Sequence, residues 1–157
     1  MGAGERVLAR AESPDGSLAG TSDALYLPVR GDDGAHWTRV PWEQVKAADW
    51  DGDADALRVV EVGTWGQARP EHLFTLTDPG RLLQLVRERV TASVVLQRHV
   101  PISGKRGVRV IARRPPRGNQ SVRWFFEYDA GIDPADPFVD QAAQEALAAA
   151  RDEVGDA

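Results

Sequence analysis

In the first half of the chain, short apolar and β-branched runs are cut again and again by Gly, Pro and Asp, and this rhythm restricts the fold more than any other feature. Strands are expected at Arg6 to Glu12, Ser17 to Thr21, Ala24 to Val29, Ala35 to Pro41, Gln44 to Trp50, Ala56 to Val62 and His72 to Leu76. The turns between them are Pro14-Asp15-Gly16, Gly31-Asp32-Asp33-Gly34, Asp51-Gly52-Asp53 and Gly63-Thr64-Trp65-Gly66. Such a series suits an antiparallel sandwich or barrel. Val7, Ala9 and Ala11 alternate with Arg6, Leu8, Arg10 and Glu12, with Leu8 blurring the pattern.

A helix follows. Asp78 can cap its free N–H groups, and Pro79 fits the first helical position, where the missing donor costs nothing. Leu83, Val86, Val90 and Val94 recur at spacings of three and four, which predicts one apolar stripe on a helix reaching about residue 97, with Arg81, Arg87 and Arg89 towards water. Beyond the Ser103-Gly104 turn, a hairpin is expected from Gly107 to Arg114 and Ser121 to Asp129. Alternation puts Val108, Val110, Ala112, Val122, Trp124, Phe126 and Tyr128 on a core-like face, and Arg109, Ile111, Arg113, Arg123, Phe125 and Glu127 on a basic one. A last helix starts near Asp136-Pro137, with Val139, Ala143, Ala146, Ala150 and Val154 on one side and Asp140, Glu145, Asp152 and Glu153 available to water. The expected class is α+β, and 157 residues suffice for one well-buried core. Residues 1–97 form its body, and 98–157 extend the same domain.

Charge is segregated along the chain. Residues 1–80 hold 7 Lys/Arg against 14 Asp/Glu, residues 81–126 hold 11 against 1, and residues 127–157 hold 1 against 9. A concentrated positive stretch in an acidic protein either meets an acidic partner or is neutralised by its own flanks. Arg98, Lys105, Arg106, Arg109, Arg113, Arg114, Arg117 and Arg123 make up that stretch, and Phe125 is placed to sit among the guanidinium groups. An acidic protein partner is the leading expectation. The alternative is RNA or single-stranded nucleic acid, since Arg with an aromatic on a sheet can hold phosphates and stack a base. Trp65, in a Gly-flanked loop, is the tryptophan most open to a contact role.

Other chemistry lacks the residues it needs. There is no cysteine, so disulfides and thiolate metal sites are excluded. His36, His72 and His99 are scattered singly, without the spacing of a zinc site, and no catalytic residue or cofactor is assigned. Asp49, Asp51, Asp53 and Asp55 resemble a calcium loop, but Gly52 falls at the fourth position and Val60 at the twelfth, so an acidic hairpin turn is expected. Neither a nucleophile elbow nor a Gly-rich phosphate loop is present. The opening Met1-Gly2-Ala3-Gly4-Glu5-Arg6 lacks an apolar export segment, and no stretch approaches the roughly 18 apolar residues of a spanning helix. A cytoplasmic, non-enzymatic protein is expected. Arg outnumbers Lys 17 to 2, a usage typical of GC-rich bacterial genomes.

Several segments resemble the bacterial pleckstrin-homology-like domains. Gly4-Glu5-Arg6-Val7-Leu8-Ala9 is similar to their opening strand, and Thr21-Ser22-Asp23-Ala24-Leu25-Tyr26-Leu27 to a later strand. Val40-Pro41-Trp42-Glu43-Gln44-Val45, Leu57-Arg58-Val59 and Phe74-Thr75-Leu76 running into Pro79 continue the likeness, which covers residues 4 to about 97. The whole arrangement is similar to an actinobacterial family. The resemblance implies an orthogonally packed antiparallel sandwich whose open corner is plugged by a helix, and a non-catalytic adaptor role. It supplies no site residues. Eukaryotic members hold phosphoinositides with a basic first loop, whereas Ser13-Pro14-Asp15-Gly16 places a carboxylate there, which argues against lipid phosphate binding.

Overall fold

The structure, a computed structural model, describes residues 4–31, 34–63, 69–116 and 121–155. It is α+β, with three antiparallel sheets and two helices among the described residues, and the sheets do not close into a barrel. The chain divides into two compact units, the first running to Ser93 and taking in Pro115 and Pro116, the second beginning at Val94.

The first unit contains all seven expected strands. β1 (Ala9–Ser13), β2 (Gly16–Gly20), β3 (Ala24–Gly31) and β4 (Gly34–Pro41) form a four-stranded meander. β5 (Val45–Asp51), β6 (Ala56–Glu61) and β7 (Glu71–Thr75) form a three-stranded one. In β1 the alternation holds: Ala9 and Ala11 are buried while Leu8, Arg10 and Glu12 face out. The Pro14-Asp15 turn is closed by Ser13, whose Oγ donates to Gly16 O at 2.7 Å and accepts from Asp15 N. The acidic turn between β5 and β6 is an Asx turn, with Asp51 Oδ1 accepting from Asp53 N at 3.0 Å and Ala54 N at 3.3 Å.

Both sheets feed one apolar core: Leu18, Leu25, Leu27 and Val40 from the first, Val45, Leu57, Val59 and Phe74 from the second. At its centre is Trp42, 0% exposed, in a single 3-10 turn (Trp42–Gln44) between β4 and β5. Its Nε1 donates to Thr21 O at 2.9 Å, so the buried indole keeps no unpaired donor.

Helix α1 (Gly80–Ser93) closes this core, touching β1, β2, β5 and the 3-10 turn. Gly20 allows the approach, because a Cβ there would lie 2.6 Å from Leu85 Cδ2. Three expectations for this helix need correction. It starts at Gly80, with Pro79 as the flanking residue whose carbonyl accepts Leu83 N–H at 2.9 Å; Asp78, at φ 51°, turns the chain one residue earlier. It ends at Ser93 instead of near 97, because the β-branched Val94-Val95 continues as strand. Its inner face carries Leu82, Leu85, Val86 and Ser93, with Leu83 and Val90 only half-buried at the margin. Two polar residues conceal that face in the sequence. Ser93 is buried with its hydroxyl donating to Val90 O at 2.6 Å, and Arg89 is half-buried, not turned fully to water like Arg81 and Arg87.

In the second unit, β8 (Val94–Ser103), β9 (Arg106–Arg113) and β10 (Arg123–Tyr128) form a sheet in the order β10-β9-β8. The β9–β10 register pairs Ala112 with Trp124, Val110 with Phe126 and Val108 with Tyr128, as alternation predicts. Helix α2 (Pro137–Val154) packs on β8 and β9 through Val139, Ala143 and Ala150. Asp136 caps it by accepting Phe138 N–H at 2.9 Å, Pro137 occupies the first turn, and Gly155 ends it at φ 81°. Val108, Val110 and Ala112 are wholly buried. Gly107 lets β8 and β9 come together: a Cβ there would lie 1.9 Å from Val100 O.

Candidate functional site

The basic stretch does not form one continuous cationic surface. Arg98, on β8, is held bidentately by Glu153 of α2, with Arg98 Nε 3.2 Å from Glu153 Oε2. Arg109 is exposed and donates to Gln97 Oε1 at 3.4 Å. Arg113 is 4% exposed and Ile111 beside it 3%, so the face expected to be basic is covered at that end. Burial pushes the Arg113 guanidinium below its ordinary pKa, against the opposing charge of Glu127. Lys105 and Arg106 are exposed at the β8–β9 turn, and Arg114 and Arg123 are exposed at the far end of the hairpin, about 20 Å away along β9. Phe125 is half-buried opposite Ile111. Arg117 and Trp65 lie outside the described residues. The structure therefore leaves Lys105, Arg106, Arg109, Arg114 and Arg123 exposed, pairs Arg98 with Glu153 and buries Arg113.

Two histidines pair with carboxylates. His99 Nε2 lies 2.7 Å from Asp129 Oδ2, which also accepts Gly107 N–H at 2.8 Å. The hydrogen bond from His99 and that from Gly107 hold the Asp129 carboxyl below its ordinary pKa. His72 Nε2 lies 2.7 Å from Glu61 Oε2 and its ring stacks on Phe74. Among the described residues no group of three or more His, Asp or Glu side chains converges as a metal site would. No helix there is long and apolar enough to cross a membrane.

A buried polar cluster ties the N-terminal segment down. The Glu5 carboxylate, its side chain 2% exposed, accepts from Thr21 Oγ1 and Tyr26 OH at 2.7 Å each and from Arg39 Nε at 3.2 Å. Burial pushes the Glu5 pKa up, but the hydrogen bonds from Tyr26, Thr21 and Arg39, with the Arg39 charge, outweigh it and hold the value at about 2. Thr21 Oγ1 also accepts Asp23 N–H and Ala24 N–H at 3.1 Å, which shapes the β2–β3 turn. These bonds run between segments of the chain itself, so the cluster serves the fold. It also brings the Glu5 and Thr21 segments together.

The feature that sequence reasoning missed lies in the first unit, between β5 and α1. Ala48 and Trp50 on β5, Leu57 on β6 and Leu83, Val86 and Val90 on α1 line a cavity of about 160 Å³, with Arg87 and Thr91 at its edge. Among the described residues β5 has a ladder neighbour, β6, on one side only. The signal is present in Leu83 and Val90, whose seven-residue spacing marks a stripe that the core does not fully consume. A wider depression of about 600 Å³ between β1 and the start of α1 mixes Arg10 and Arg81 with Asp78, so its rim offers no single sign of charge. Trp42 belongs to the core and Trp37 is exposed on β4, whereas Trp50 meets the β5 cavity. Comparison with protein-family models, with curated proteins and with solved structures finds no match to this chain.

Proposed function

We propose that the chain is a non-catalytic protein-interaction module that receives an extended, acidic segment of a partner protein alongside β5, under α1. The observation that carries this reading is the cavity of about 160 Å³ beside a strand with one ladder neighbour among the described residues. An added strand gains affinity from main-chain hydrogen bonds and specificity from pockets that take alternate side chains. Here the pocket has room for about one large apolar side chain against Trp50, Leu83 and Val90, and Arg87 offers a cation for a neighbouring carboxylate. A four-stranded and a three-stranded meander around one core, with a helix following the last strand, support the pleckstrin-homology-like resemblance and the adaptor role it implies. The hairpin supports this role less well, since Arg113 is buried and Arg98 is paired with Glu153 of the same chain.

The test is a titration of the isotope-labelled full chain with short synthetic peptides in which Leu precedes Glu by two residues, against the same peptides carrying Lys. Amide shifts are expected at Ala47 to Asp51 and along α1, with acidic peptides preferred and the preference reversed by Arg87→Glu. Shifts confined to β9 and β10, or no selection between the two sets, would overturn the reading. A single-stranded oligonucleotide is run in parallel. Salt-sensitive shifts at Arg106, Arg109 and Arg123 would move the function to nucleic acid.

A further inference from the structure

The ladder between β5 and β6 fixes which main-chain groups of β5 face the open side of the groove. Val62 N–H donates to Gln44 O at 2.7 Å and Glu61 N–H donates to Pro70 O at 2.9 Å. The even-numbered residues of β6 therefore bond towards β5 and the odd-numbered ones towards β7. Ala56, Arg58 and Val60 stand opposite Asp51, Asp49 and Ala47. Asp49 and Asp51 thus direct their N–H and C=O groups to β6, and Ala48 and Trp50 aim theirs away from it. The side chains of these same two residues line the cavity beside α1. The main chain that can accept a strand and the pocket that can take its side chains belong to the same two positions.

A guest strand laid on this edge bonds through the residues opposite Ala48 and Trp50, and their side chains enter the groove. Alternation turns the guest residue between them to the other face of the sheet. There it stands opposite Asp49, whose side chain is 69% exposed. Antiparallel addition, the more stable arrangement, makes the two a non-hydrogen-bonded pair, in which side chains approach most closely and charge matters most. Arg58 lies 3.6 Å from Asp49 but also bonds Glu71, so one guanidinium serves two carboxylates and the face keeps a negative excess. We propose that Asp49 is a specificity-determining residue of the β5 groove, selecting a basic side chain at the central position of the guest. The inference rests on the reading of β5 as a docking edge and deepens it. The acidic character of the guest is confined to its groove-facing side, and the residue between the two groove-facing positions carries the opposite charge. The recognised pattern is apolar, basic, acidic, with Leu-Arg-Glu as its simplest form.

The test is a fluorescence-anisotropy titration of the full chain with three labelled peptides that share their flanks and carry Leu-Arg-Glu, Leu-Ser-Glu or Leu-Glu-Glu. Dissociation constants are expected to rise in that order, about threefold from Arg to Ser and about tenfold from Arg to Glu, the range that facing charges confer across a ladder. Asp49→Lys should reverse the order. Equal binding of the three peptides by wild type, or an order that Asp49→Lys leaves unchanged, overturns this inference while the docking edge stands. Failure of all three to bind removes the docking edge and the inference with it. Should Asp49→Lys fail to fold, a peptide of the same composition with its Arg moved to the far end decides. About threefold weaker binding than Leu-Arg-Glu supports the role of Asp49, and equal binding rejects it.

Discussion

The two units are held together by different means. The first encloses one core of large side chains, centred on Trp42 and drawn from two sheets and α1. The second sets a helix whose buried residues are Val139, Ala143 and Ala150 on a sheet, and supplements that contact with the Arg98–Glu153 and His99–Asp129 pairs. Apolar burial scales with area and is not subject to charge screening, whereas half-exposed ion pairs are screened and contribute little. The first unit should therefore answer to packing, and the second unit's charge pairs should be nearly dispensable.

The sharpest way to break that contrast is Trp42→Ala. Emptying the centre of the core should destabilise the first unit by about 3–5 kcal/mol, read as lost hydrogen-exchange protection at β2, β3 and β6. A loss under about 1 kcal/mol would show that Trp42 does not organise this core.

A middle-sized effect is expected at Glu5. Its folded pKa of about 2 lies below the ordinary value of 4.5, so its contribution is complete above about pH 4.5 and disappears as pH falls towards 2. The shift corresponds to about 3 kcal/mol. Glu5→Gln should lower stability at neutral pH by about 2–3 kcal/mol and flatten the acid limb of a stability–pH curve. A variant that keeps the wild-type acid limb would assign that limb to other carboxylates.

The smallest effect belongs to the second unit. Glu153→Ala removes the Arg98 pair, both of whose side chains are about half exposed, and should cost no more than about 1 kcal/mol, falling further in high salt. A cost of several kcal/mol, measured by denaturant titration, would make charge pairing a true support of this unit.

The same contrast explains what can be read in advance. Strands β1 to β7, the β9–β10 register and the Asp136-Pro137 cap are local patterns, and each is found where the residues predict it. Burial of Arg113 is not local. Alternation separates it from the face of Val108, Val110 and Ala112, but not whether its own face is buried; only Ile111, apolar between two arginines, hints at that. The inner face of α1 lies a fraction of a turn from the expected stripe because Ser93 satisfies its hydroxyl on Val90 O and so enters the core as if apolar. The groove at β5 depends on how a helix lies across a strand, which no periodicity encodes.

Gly107 carries a last consequence. Where β8 and β9 cross, the space beside Val100 O admits a hydrogen atom and nothing larger. A slip of one residue would bring Arg106 or Val108 to that spot, and either side chain would collide with main chain that cannot swing aside. The ribbon can thus zip in a single alignment, enforced by a missing methyl group.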